Sequence, residues 1–177
     1  RPAERAGLRV DPELVEAIRR DGGRVFLDLK FHDIPNTVAR AAEAAVRLGV
    51  SMFNVHALGG IDMMKETARA VRNEAERLSV TPPVVLAVTV LTSLDDRDLA
   101  DLGFRMSTEA LVAHLARRAQ DAGLDGVVAS ARDVRAIREA CGERLSRLGG
   151  LHRDERGAIS LLTVFTMLGF AMLLGMV

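Results

Sequence analysis

Tryptophan and tyrosine are absent from this chain, and six phenylalanines are all its aromatic rings. A core must therefore be packed mainly from Ala, Val, Leu, Ile and Met. There is one cysteine, Cys141, which excludes an internal disulfide framework and fits a reducing compartment. It stands in a charged helical stretch with no histidine close by, the setting of a bystander thiol rather than a nucleophile. Neither sign of charge is in excess: 24 Lys plus Arg face 24 Asp plus Glu, so no global field argues for nucleic acid or an acidic partner. His32 could contact solvent or a partner subunit and is assigned no role, and His114 and His152 have no ligand-spaced companions, so metal binding is unsupported. The chain opens Arg1-Pro2-Ala3-Glu4-Arg5, with neither an initiating Met nor the apolar run of a signal peptide. Its 177 residues favour one domain with one good core.

What is present is concentrated in the stretch from Val25 to Thr37, Val-Phe-Leu-Asp-Leu-Lys-Phe-His-Asp-Ile-Pro-Asn-Thr. Its first half reads as a buried strand interrupted only by Asp28 and Lys30, which period-2 alternation puts on one face. Two opposite charges there are costly to bury unless they pair or do chemistry. Asp33 follows at once, before an Ile-Pro-Asn-Thr turn that opens a helix. Three charges within six residues at a strand-to-helix corner read as a reactive site.

Around this stretch, strand and helix alternate. Residues 12–21 spell a short amphipathic helix, with Asp11 as cap and Pro12 in its first turn. Gly22-Gly23 ends it, and a strand runs over 24–30. A helix from about Asn36 to Leu48 is closed by Gly49. A strand over 50–56, a helix over 61–78 broken by Thr81-Pro82-Pro83, and an apolar strand over 84–90 follow. After a loop at 91–98, Ser107 caps a helix running to about Ala122. A strand at 125–130 and a helix at 131–141 complete the series. Units of about 30–40 residues are the signature of βα repeats and a parallel sheet.

Sites on such sheets lie at the carboxyl ends of the strands. Those ends are polar here in all four cases: Asp28, Lys30 and Asp33; Asn54 and His56; Thr89, Thr92 and Ser93; Ser130. Four polar corners over apolar strand bodies imply a shared pocket. Plainer alternatives stand beside each residue. Lys30 with Asp28 and Asp33 could be a structural ion pair. His56 taken alone is better read as a satisfied core histidine. Thr92 and Ser93 serve equally well as caps of a helix beginning near Asp95. The charge runs at 69–77 and 132–139 read as solvated helix faces.

The composition changes near residue 145. Residues 146–157 form a polar, charged linker, and Ala158 to Val177 is twenty residues without a charge. That length predicts a transmembrane helix, with Arg153 and Arg156 on its cytoplasmic side. A buried core helix is the alternative.

Asp28-Leu-Lys30-Phe-His-Asp33-Ile-Pro-Asn-Thr37 resembles the signature of the bacterial orotidine 5′-phosphate decarboxylases. The Asp-x-Lys-x-x-Asp core alone also admits the related sugar-phosphate decarboxylases and synthases, and the extension from His32 to Thr37 argues against them. Asn54-Val-His56-Ala with Gly59-Gly60, Ala87-Val-Thr-Val-Leu-Thr92-Ser93 and Gly123-Leu-Asp-Gly126-Val-Val-Ala-Ser130 follow in order, so the likeness covers roughly residues 8–141. It implies an α/β fold, a partial (β/α)8 TIM barrel holding four of eight βα units over 1–145, followed by a single apolar helix. The implied reaction is cytoplasmic, needs no cofactor and no metal, and converts orotidine 5′-phosphate to UMP and CO2. The resemblance makes Lys30 the proton donor, kept charged by a flanking carboxylate, with Asp28 beside the departing carboxyl. It makes Asp33 a residue that crosses a homodimer interface to the partner's ribose, with Asn36 and Thr37 nearby. His56, Thr92 and Ser93 complete the implied substrate contacts. The family's first two and last two strands, with a second catalytic lysine and the phosphate grip, have no counterpart here, so the chain alone is expected to be inactive.

The stretch Arg153-Asp-Glu-Arg-Gly157-Ala-Ile-Ser and the apolar span behind it are similar to N-terminal membrane segments of Tad-type pilus-assembly proteins. The expectation is a truncated decarboxylase joined to a piece of another reading frame, with membrane contact through 158–177. One continuous frame across 141–158 in independent DNA reads would overturn the joining. The alternative is a membrane-anchored envelope protein whose barrel fragment is vestigial.

Overall fold

The computed structural model describes residues 11–142 and 170–174. The first helix, α1 (Pro12–Arg20), starts on the Asp11 side chain, which accepts from the Glu13 amide at 2.9 Å. Strand β1 (Arg24–Phe31) leads through a tight turn to α2 (Pro35–Leu48), which Gly49 closes at φ 70°, a left-handed conformation that costs glycine little. Strand β2 (Met52–His56) is followed by a short 3-10 turn and α3 (Ile61–Leu78), whose entry through Gly60 at φ 90° and ψ 166° suits only glycine. Strand β3 (Val84–Val88), α4 (Asp96–Asp101), α5 (Thr108–Asp121), β4 (Gly126–Val128) and α6 (Val134–Cys141) complete the series. Ser107 caps α5 as the sequence predicts, its hydroxyl accepting from Ala110 N at 3.3 Å.

The strands form one parallel sheet in the order β4-β3-β2-β1, with helices as crossovers. One face is covered by α2, α3 and α5. There Leu27, Phe53, Met63, Met64 and Val112 are each no more than 2% exposed and pack as one core. Burying side chains of this size contributes about 1.5–3 kcal/mol each. The opposite face holds a smaller apolar group, Phe26, Met52 and Leu86, where the interior layer of a barrel would lie. The expected α/β architecture of successive βα units is thus present.

Two expectations need correction. The loop at 91–98 contains the start of α4, and Asp95, not Thr92 or Ser93, caps it. The Asp95 carboxylate accepts from Arg97 N and Asp98 N, while the Asp98 carboxylate accepts from Asp95 N, a reciprocal capping box. A carboxylate one residue before the helix reaches its free amides, and hydroxyls further upstream do not. The second correction concerns the apolar span. Its only described residues form a strand, β5 (Phe170–Leu174), paired in parallel with β1 from Arg24↔Phe170 to Asp28↔Leu174. No helix among the described residues is long and apolar enough to cross a membrane. Apolar runs do not by themselves distinguish helix from strand, and the edge of β1 offers backbone groups that need partners. The linker 146–157 and the rest of the span lie outside the described residues.

Candidate active site

The polar ends of β1 and β2 meet at Asp28, Lys30 and Asn54. From Leu27 to Phe31, β1 advances four residues while its neighbour β2 advances two, from Phe53 to Val55. A bulge of this kind frees side chains from strict alternation and re-aims them. Lys30 sits in it at φ 49°, a left-handed conformation unusual for a residue with a Cβ. Phe31 brings the chain back into register, its ring meeting Phe53 edge-on at 6.0 Å. Asp28 and Lys30 do meet, as the sequence implied, with Lys30 Nζ 2.7 Å from Asp28 Oδ1. A left-handed backbone inside a bulge, rather than regular pleating, makes that meeting.

The pair is asymmetric in exposure. The Asp28 side chain is 6% exposed and that of Lys30 is 39% exposed, so the carboxylate is set in the sheet and the ammonium reaches the opening. Asp28 Oδ1 also accepts from Asn54 Nδ2 at 2.5 Å, and Asn54 Oδ1 accepts from the Lys30 amide at 2.8 Å. Asn54 stood out in the sequence only as a polar strand end; its central contacts depend on the bulge, which local pattern does not reveal.

His56 lies at the end of β2, its ring 5.1 Å from that of His32 and tilted by 38°. Burial is the main force lowering its pKa, followed by the charges of His32 and Lys30, with Asp28 opposing them. Its Nδ1 is buried and has no hydrogen-bond partner among the described residues. That departs from a satisfied core histidine. Gly59 makes room beside His32: a Cβ there would run into the Met63 methyl and touch the His32 ring.

The other predicted residues sit apart. Asp33 is exposed, and its carboxylate accepts from the next amide, Ile34 N, at 2.6 Å, so Lys30 and Asp28 pair without it. Asn36 and Thr37 are exposed in the first turn of α2, and Asn36 lines a groove between α2 and α3 with Arg40 and Arg69. Thr92 and Ser130 border a separate cavity of about 590 Å³ beyond β3 and β4, with Arg97 and Arg132 on its wall. Ser93 is exposed. Thr89 is buried and donates to Val128 O at 3.0 Å, which fastens β3 to β4. No group of three or more metal-ligating side chains occurs among the described residues.

Parallel βα units with a lysine–carboxylate pair at the end of β1 define a partial TIM-barrel-like α/β fold. The chain belongs to the orotidine 5′-phosphate decarboxylase / HUMPS family, whose model matches residues 3–159. It is 64% identical over 138 residues to the orotidine 5′-phosphate decarboxylase of Syntrophus aciditrophicus, covering 78% of this chain and 55% of that one. It is 59% identical over 132 residues to that of Moorella thermoacetica, covering 74% and 52%. The crystal structure of orotidine 5′-phosphate decarboxylase from Lactobacillus acidophilus superposes with a TM-score of 0.69 at 36% identity, over 75% of this chain and 59% of that one. The chain spans about half the length of the curated relatives it matches.

Proposed function

We propose that this chain carries the central catalytic motif of an orotidine 5′-phosphate decarboxylase. The observation that carries the reading is the Lys30–Asp28 contact at 2.7 Å on a bulged strand inside the family match. In the proposed reaction the bond from C6 of the pyrimidine to its carboxylate breaks. CO2 leaves, and the electron pair stays on C6. Lys30 delivers its proton to that carbon as general acid, and water restores the ammonium. The Lys30 charge, 39% exposed and next to bound substrate, stabilises the developing carbanion more strongly than bulk water could. Asp28 holds the ammonium in place and stands where the departing carboxylate would lie. In this reading His56, Thr92 and Ser93 contact the nucleotide. No cofactor or metal takes part in this scheme.

Asp33, Asn36 and Thr37 lie away from Lys30 in the single chain. In the proposed reading Asp33 and Thr37 act across a homodimer, reaching the substrate of the partner, and Asn36 lies beside them. Ile34, 65% exposed between them, is the apolar anchor of that contact.

The test is orotidylate turnover, followed by ultraviolet absorbance, in a chimera. Residues 11–142 replace the matching segment of the Syntrophus aciditrophicus relative, which supplies the remaining half. Turnover is expected, and Lys30→Ala is expected to lower it by at least about a hundredfold, the low end for a lost general acid. A folded but inactive chimera, or one indifferent to Lys30→Ala, would refute the assignment. The chain alone is expected to show no turnover.

A further inference from the structure

We infer that Asn54 is a positioning residue: its side-chain amide sets both members of the Lys30–Asp28 pair. The role deepens the proposed decarboxylase reading, in which that pair performs the chemistry. Residues 28–30 leave the β1–β2 register, so the Lys30 amide needs an acceptor from elsewhere. Asn54 Oδ1 supplies it at 2.8 Å and holds Lys30 at φ 49°. The other end of the same amide, Nδ2, donates to Asp28 Oδ1 at 2.5 Å, the oxygen that also receives Lys30 Nζ at 2.7 Å. One planar group thus fixes the backbone from which the lysine starts and the carboxylate at which it ends.

The chemistry of the side chain explains the choice. An acceptor and a donor are needed at once, a fixed distance apart, at a position only 1% exposed. An aspartate would offer no donor and would set a second anion against Asp28. A leucine would fill the space, take the acceptor from the Lys30 amide and leave Asp28 Oδ1 with Lys30 Nζ alone. Asn54 touches no reacting atom in this scheme and acts only through Lys30 and Asp28.

The test uses the chain itself, and its readout is geometry rather than turnover, so it stands or falls separately from the chimera assay. Amide hydrogen exchange is measured by NMR in the unmodified chain and in Asn54→Leu, with Asn54→Ala as the milder change should the first not fold. Exchange at Lys30 is expected to become at least about tenfold faster relative to that at Val55 and Ala87, which are register partners of β2 and β3. Urea midpoints are then compared in the Lys30→Gly background, because glycine holds a positive φ without help. There the loss caused by the Asn54 change is expected to fall by half or more. An equal loss in both backgrounds, or a rise in exchange shared evenly with Val55, would make Asn54 a space-filling residue and overturn the inference.

Discussion

The surroundings of His56 favour its neutral form. Burial, reinforced by the His32 and Lys30 charges, places its pKa below the ordinary value of 6.5. An unfolded chain takes up this proton at higher pH than the folded one does. Stability is therefore undiminished above about pH 6.5 and falls as the pH drops from there towards the lowered folded value. His56→Gln is expected to flatten that part of the profile, read as the urea midpoint between pH 7.5 and 5, both chosen to bracket the ordinary histidine range at about 6.5. An unchanged slope would mean that the imidazole is freely hydrated. The Lys30→Ala chimera belongs to the same scale. It asks whether one ammonium, 2.7 Å from a buried carboxylate, is the proton source.

Between elements, the contact of α2 with α3 carries the other unusual carboxylate. Glu74 on α3 is 7% exposed and is gripped by Arg77 from its own helix and by Arg47 from α2, with the Arg47 contact at 2.6 Å. Hydrogen bonds from Arg77, with Arg47 behind them, hold the carboxyl down at about 2 against the burial that would raise it. The corresponding stability is complete above about pH 4.5 and is lost as the pH falls through 2. Glu74→Gln is expected to destabilise the chain at neutral pH and to shrink its acid sensitivity between pH 4.5 and 2, measured by thermal melts. An equal Tm difference at all pH values would show that the ion cluster is not the cause.

At the scale of the whole molecule, the chain spans about half the length of its relatives. The proposed homodimer gives a direct check. Ile34→Asp puts a charge at a position 65% exposed in the single chain, so it should leave the fold intact. It is expected to weaken self-association of the chimera at least about tenfold in sedimentation equilibrium, the scale of one apolar anchor lost from an interface. Activity should fall in parallel, because Asp33 and Thr37 would no longer reach the partner's substrate. A dimer of unchanged strength would place the interface elsewhere.

The order of strands and helices over residues 12–141 was legible because its signals are local. Asp11, Pro12, Gly49, Gly60 and Ser107 mark element ends through their own backbone or side-chain chemistry. The Asp28–Lys30 pairing was legible too, and the family motif named the chemistry it resembles. Three things were not legible. The bulge depends on the register between β1 and β2, strands more than twenty residues apart. Asn54 gains its contacts only through that bulge, so its amide looked like any polar strand end. The residues Phe170–Leu174, apolar and uncharged, fit helix and strand equally well until the open edge of β1 chose between them. Sequence fixes what can be satisfied within a few residues. Where a backbone group or a charge must find its partner across the sheet, only the tertiary structure decides.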